Sequence, residues 1–391
     1  MQDKGSQNKG SVSVPKVVTA DSVQAEEVPT IPLGSLQTIN ALQPEVSVHA
    51  LTASPEVNLP APLVVQPSEY RRSLSEWLKA WWEGMRPTYL ALPLLPVVVG
   101  STLAWTKSIA PGTPFGHFHV LRFLATLMAV ALLQVGANLV NDYFDDLRGV
   151  DASNQLGPGG LIQQGVVPPA QVLTTGLIAL GLGALLGAIV AVSGGFLVYL
   201  FGLIGLLCAF FYSATSRSLS ALSLGELICF VIFGPLITLG AYMVQIGHID
   251  RIVLVYSIPL GLLAMAVILL NDMRDLEDDA QAGKYTIASL LGLQWSRLFC
   301  LMLLLTAYMI IVALGLPHNA PHFLLITLWT LPTLVIVISG MLRTDTPAGL
   351  HLVMRQAIRL EVYFAFLLVV ALIVTAVWPV LPHLPTIVLP F

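Results

Sequence analysis

The chain has 391 residues, 56% of them hydrophobic and only 10% charged, with a formal net charge of −4 and a mean hydropathy of +0.81. A soluble globular chain carries roughly 25% charged residues, so an ordinary water-soluble domain is excluded, and the negative balance gives no footing for a nucleic-acid partner. Residues 152–216 and 298–342 contain no charged side chain. Both stretches far exceed one bilayer span of about 20 residues, and their periodicity is helical, which favours helices over a membrane barrel.

Residues 1–68 are rich in Ser, Pro, Val, Gln and Glu, with no long apolar run and no signal-peptide pattern. That composition predicts a disordered tail. Residues 69–87 follow, with the segment SLSEWLKAWWEGMRP. Ser73 and Glu76 make a capping box. Leu74, Trp77, Leu78, Trp81 and Met85 share one face of a short amphipathic helix, and its tryptophans suggest a helix lying in the membrane interface.

Residues 88–391 hold nine apolar segments, near 88–106, 119–142, 170–193, 195–213, 222–246, 252–271, 294–316, 323–341 and 359–381. The expected fold is an all-α polytopic membrane protein of about nine transmembrane helices. With the N-terminus cytoplasmic, twelve Lys and Arg residues from Arg71 to Arg359 fall on the inner side, and Lys107, Arg122 and Arg251 on the outer. This positive-inside bias predicts a multi-pass protein of the cell membrane with a cytoplasmic N-terminus. Cys208, Cys229 and Cys300 lie within apolar segments and read as core hydrophobes.

Of the 22 acidic residues, nine precede the first span. Nine of the other thirteen fall in two places: Asp142, Asp145, Asp146 and Asp151 after span two, and Asp272, Asp275, Glu277, Asp278 and Asp279 after span six. The two places share a pattern, NDYFD at 141–145 and NDMRD at 271–275. Four spans separate them, so both lie on the same, cytoplasmic face. Asp142, Asp145 and Asp146 share a helical face, as do Asn271, Asp275 and Asp279.

So many neighbouring carboxylates would be forced to hold protons unless cations sit between them. Mg²⁺ suits such a place, since it takes a few carboxylate oxygens and completes its shell with water and phosphate. Arg148, Arg274 and Lys284 would meet the remaining phosphate charge. A single acidic loop beside a membrane is ordinarily a solvated loop, but a matched pair on one face needs more explanation.

NDYFDDLRGVD and NDMRDLEDDAQAGKYTIASLLG resemble the two aspartate-rich motifs of the UbiA superfamily of intramembrane prenyltransferases. Within it they are most similar to the MenA-type 1,4-dihydroxy-2-naphthoate polyprenyltransferases. The matching positions are Asn141, Asp142, Asp145, Gly149 and Asp151, then Asn271, Arg274, Asp275, Asp279, Gly283, Lys284 and Thr286. RPTYLALPLLPVVVG, GPGGLIQQGVV and GELICFVIFGPLITLGAYMVQIG extend the similarity over roughly residues 80–380. Asp272 and Asp146 depart from the pattern, and a Tyr-x-x-x-Lys feature is met only loosely by Tyr212 and Arg217.

The resemblance implies helices around a central cavity open sideways to lipid, and two Mg²⁺ ions bridging a polyprenyl diphosphate. It implies prenyl transfer to an aromatic acceptor, 1,4-dihydroxy-2-naphthoate, as in menaquinone biosynthesis. Asp142, Asp145, Asp275 and Asp279 are then the expected catalytic, metal-organising acids, with Asp151 supporting. Asn141, Asn271, Arg148, Arg274 and Lys284 would bind substrate, and Arg86 is a candidate near the acceptor. The same chemistry on 4-hydroxybenzoate or homogentisate is an alternative. A transporter is the reading from another class, but it would place charges at mid-membrane depth, where this chain has almost none. Glu226 is expected to pair with Arg217 or a neighbouring helix, and Glu361 with Arg355 and Arg359.

Overall fold

The computed structural model describes residues 73–109, 116–149, 161–162, 165–215, 219–281, 283–318 and 321–379. The expected disordered tail, Asp151 and Arg217 lie outside the described residues.

α1 (Leu74–Gly84) forms as expected, with Ser73 and Glu76 closing a reciprocal capping box. Its faces divide differently from the expected single stripe. Trp81 is buried against Leu139, Leu161, Val167 and Val172, whereas Leu74, Trp77, Leu78 and Trp82 are exposed. Gly84 allows this approach, because a Cβ there would meet the Leu161 side chain at 2.6 Å.

A 3₁₀ turn, Pro87–Leu90, leads into α2 (Ala91–Ser108). Then come α3 (Val120–Arg148), α4 (Pro169–Gly194) and the shorter α5 (Phe196–Phe211). The fifth apolar segment is α6 (Gly225–Val231), a π-helical turn at Ile232–Leu236 and α7 (Ile237–Ile246). Pro235 sits inside that turn and supplies no N–H, which is a standard cause of a break in helical register. α8 (Arg251–Arg274) and the short α9 (Leu276–Gln281) follow. The chain continues through α10 (Ile287–Gly315), a 3₁₀ stretch His322–Thr330, α11 (Leu331–Arg343) and α12 (Pro347–Val377).

Among the described residues, eight helical segments are long and apolar enough to cross a membrane, and α5 is a ninth, shorter apolar helix. α8 is the most enclosed, with 67% of its apolar window buried. It packs against α6, α10 and α12, while α3 pairs with α4 and α2 with α7. Many leucines, isoleucines and phenylalanines outside this core are exposed, as expected where the outer surface meets lipid rather than water.

Two helices start earlier than hydropathy indicates. α10 begins after Thr286, which caps the backbone N–H of Ser289, and α12 begins after Thr346, which caps that of Gly349. Glu361 does not pair with Arg355 or Arg359. It is buried with neither oxygen hydrogen-bonded among the described residues, while both arginines are exposed. Spacings of two and six residues place them on different faces of the helix.

Candidate active site

A cavity of about 600 Å³ lies among the helices, lined by residues of α2, α3, α4, α5, α7 and α8 and by the π-helical turn. Most of its wall is apolar. One end is not: Arg86, Asn141, Asp145, Asn271, Arg274, Asp275, Asp279 and Lys284 all line it. The two motifs, 126 or more residues apart in the chain, thus meet at one mouth, as their placement on one membrane face requires.

Helix ends position these side chains. α3 runs two turns beyond its apolar segment and stops at Gly149, whose φ of 67° ends the helix in the left-handed region. Its last turns carry the first motif. α8 ends at Arg274, and the chain turns through Asp275 into α9 without losing its hydrogen bonds. The Asp275 N–H donates to the Asn271 carbonyl at 3.1 Å, and the Asp279 N–H to the Asp275 carbonyl at 2.8 Å.

Asp145, Asp275 and Asp279 each have a cation beside them. Arg274 grips Asp275 with two bonds, Nε to Oδ1 at 2.7 Å and Nη2 to Oδ2 at 2.5 Å. Lys284 Nζ stands 3.2 Å from both oxygens of Asp279. Arg148 lies 3.6 Å from Asp145, which also accepts from Asn141 at 2.5 Å. Arg148 does not line the cavity itself; it is tied to the carbonyls of Phe144 and Ser213.

Burial pushes the Asp279 carboxyl up to about 6, against the opposing pull of Lys284. Burial alone would lower the Lys284 ammonium, but Asp272, Asp279 and Asp145 outweigh it and hold the group above the ordinary lysine range. These acids and bases therefore keep one another charged where the wall is nearly dry.

Asp142 is placed differently from the other described acids of the expected set. It shares a helix face with Asp145 but is fully buried and ion-paired with Arg86, and it is not part of the cavity wall. A helix face is broad, and residue 142 points at the turn after α1 rather than into the chamber. Asp278, which spacing did not select, lines the cavity instead.

Other contributors were missed by spacing. Tyr89 lines the cavity and donates to Asn271 Oδ1 at 3.0 Å. Its signal was its place two residues after the Arg86–Pro87 step. His351 Nδ1 is 3.1 Å from Arg274, and Ser213 donates to Asn141. Both come from distant segments with no motif of their own. Glu226 accepts from the first N–H of α10, that of Ile287, at 2.9 Å and contacts Asp272. Its partner is thus a neighbouring helix.

The donor set can accommodate Mg²⁺ held by a diphosphate. Among the described residues no three His, Cys, Asp or Glu side chains converge as a ready-made cage. Mg²⁺ does not require one, because it keeps water and phosphate ligands and takes only one or two carboxylates. Asp145, Asp275 and Asp279 around one mouth fit that role.

The comparisons agree with this geometry. A profile of the UbiA prenyltransferase family matches residues 94–355. The 1,4-dihydroxy-2-naphthoate octaprenyltransferase of Bacillus subtilis (strain 168) is 27% identical over 294 residues, 75% of this chain and 92% of that protein. The enzyme of the same name from Haemophilus influenzae is 33% identical over 251 residues, 61% of this chain and 77% of that protein. A solved UbiA homologue from Archaeoglobus fulgidus, bound to GPP and Mg²⁺, superposes with a TM-score of 0.53 at 16% identity, covering 74% of this chain and 99% of that one. With its membrane-spanning helices, its shared helical fold and a family match over most of its length, this multi-pass membrane protein belongs to the UbiA prenyltransferase family.

Proposed function

We propose that the chain transfers a polyprenyl group from its diphosphate to 1,4-dihydroxy-2-naphthoate, with Mg²⁺ as cofactor. The observation that carries this reading is the cavity itself: one mouth of paired acids and bases, and an apolar chamber behind it. The names of the curated relatives support the naphthoate as acceptor.

Two Mg²⁺ ions, held by Asp145, Asp275 and Asp279 with Asp278 and Asp151 in support, would supply Lewis-acid stabilisation of the departing diphosphate. Lys284 and Arg274 are placed to exchange their carboxylate partners for phosphate oxygens, and Arg148 steadies Asp145 from behind. Asn141, which donates to Asp145 and accepts from Ser213, and Asn271, which donates to Asp275 and accepts from Tyr89, orient the carboxylates. Asp142 serves by fixing Arg86 at the wall, beside the acceptor. The apolar lining excludes water from the allylic cation left when the C–O bond opens. The electron-rich ring then attacks that carbon, and the ring carboxylate departs as CO₂.

The mouth faces the cytoplasm in this reading, with the N-terminus on the same side of the cell membrane. The bias of basic residues toward that side supports it.

The test uses purified protein in detergent with Mg²⁺, a polyprenyl diphosphate and, separately, 1,4-dihydroxy-2-naphthoate, 4-hydroxybenzoate or homogentisate. A product of demethylmenaquinone mass from the naphthoate alone is expected. Product from another ring would move the acceptor, and no product from any ring would overturn the reading.

A further inference from the structure

α3 crosses the apolar chamber carrying very little polarity. Between Arg122 and Asn141 its polar side chains are Thr126, Gln134 and Asn138. Thr126 spends its hydroxyl on its own helix, donating to the Arg122 carbonyl at 2.7 Å. Gln134 and Asn138 form a short ladder instead. Gln134 Nε2 donates to Asn138 Oδ1 at 3.0 Å, and Asn138 Nδ2 donates to the Met85 carbonyl at 2.9 Å.

Asn138 is thereby used at both ends and is only 8% exposed. Gln134 is used at one end. Its Oε1 and second N–H have no protein partner among the described residues, and the side chain is part of the cavity wall. A carboxamide at membrane depth is costly unless something answers it.

The chemistry of the ligands decides what that is. The prenyl tail has no polar atom. The diphosphate belongs at the acid mouth, and Gln134 lies about 16 Å along the helix from Asp145 at 1.5 Å per residue. A diphosphate, the reacting carbon and a two-ring acceptor laid end to end span a distance of that order. The acceptor's hydroxyls are the polar groups left to reach this depth.

We propose that the Gln134 carboxamide, braced by Asn138 and the Met85 carbonyl, is the hydrogen-bond site for a ring hydroxyl of the aromatic acceptor. This rests on the aromatic-acceptor reading above. Gln134 contacts the substrate away from the reacting atoms, so it sets acceptor affinity and selectivity.

The experiment compares full-length wild type with Gln134→Met and Gln134→Glu in detergent and Mg²⁺. The KM values for the acceptor and for the prenyl diphosphate are measured separately, with 1,4-dihydroxy-2-naphthoate and 1-hydroxy-2-naphthoate as acceptors. Losing one neutral hydrogen bond worth about 1.4 kcal/mol raises a dissociation constant about tenfold. Gln134→Met should therefore raise the acceptor KM about tenfold, leave the prenyl diphosphate KM unchanged, and reduce the preference for the dihydroxy ring. Gln134→Glu keeps an accepting oxygen but loses the N–H given to Asn138 Oδ1, so it should recover only part of the loss.

An unchanged acceptor KM, an equal rise in both KM values, or an undiminished preference would overturn the proposal. The thermal midpoint of each variant identifies misfolding, and Gln134→Glu then carries the comparison. Should wild type prenylate only 4-hydroxybenzoate or homogentisate, the naphthoate reading fails, and the same KM comparison with that ring decides for or against Gln134. Should it prenylate no ring, both readings fail together.

Discussion

Arg86 holds its backbone at φ 54°, a left-handed conformation that costs a non-glycine residue about 1–2 kcal/mol. The turn aims its guanidinium at the buried carboxylate of Asp142. Arg86→Gly should relax the backbone yet lower stability by about 3–5 kcal/mol, because it strands a buried charge. A fall in the thermal midpoint in detergent, largely recovered by adding Asp142→Asn, is the expected result; no recovery would show that Arg86 acts through something other than this pair. Spacing grouped Asp142 with Asp145 correctly, but it could not say which of two residues on a broad face looks into a cavity and which at another segment. With Asp279 pushed up to about 6 by burial, a proton competes with Mg²⁺ below that value. The Mg²⁺ concentration needed for half-maximal transfer should be flat above pH 6 and rise up to tenfold per unit below it. Asp279→Asn should abolish that slope as it cuts the rate. For stability the sign is opposite: a carboxyl with a raised pKa contributes stability that is full below its unfolded value of about 3.9 and is lost as pH rises through about 6.

At the scale of elements, the π-helical turn Ile232–Leu236 shapes the chamber, since Ile232, Phe233 and Leu236 line it. The turn is held by a close approach to α8. A Cβ on Gly234 would sit 2.8 Å from Gly261 Cα, and one on Gly261 would sit 2.6 Å from the Phe230 carbonyl. These are backbone contacts with nothing flexible to yield, the small-residue packing expected where hydrophobicity does not drive helices together. Gly261→Val should therefore cost about 1–3 kcal/mol of stability and lower prenyl transfer by displacing the wall. Gly205→Ala on α5, where nothing lies within 4 Å of the new Cβ, should leave the thermal midpoint undiminished. Equal behaviour of the two would mean that the contact does not hold the turn. The apolar segments themselves were legible, because hydropathy reports the lipid-facing surface directly. The starts of α10 and α12 were not: α10 is interrupted at Gly292, whose φ of 74° breaks the helix just before the long apolar run, and Arg355 and Arg359 interrupt the apolar pattern of α12 after its first turns. Their capping threonines, Thr286 and Thr346, were the available signal.

For the whole molecule, the convergence of two distant motifs at one mouth was readable from counting spans, because parity fixes the membrane face. Contributions from His351 and Ser213 were not readable, since single residues brought in by tertiary packing leave no pattern in the chain. Parity cannot say which face is which; the charge bias supports the proposed assignment. In the proposed orientation the inner side holds twelve basic residues against three, the mouth's Arg148, Arg274 and Lys284 among them, and each such residue resists translocation. The exposed Ala348, beside the α11–α12 connection, should then be cytoplasmic with the mouth, and the exposed His318, after α10, external. Single cysteines at these positions, with Cys208, Cys229 and Cys300 replaced, can be reacted with a membrane-impermeant maleimide on intact cells. Position 318 should label at once and position 348 only after permeabilisation. The reverse pattern would place the aspartates outside, where Mg²⁺ and a diphosphate donor would have to arrive from the other compartment, and the assigned orientation would be wrong even with the chemistry unchanged.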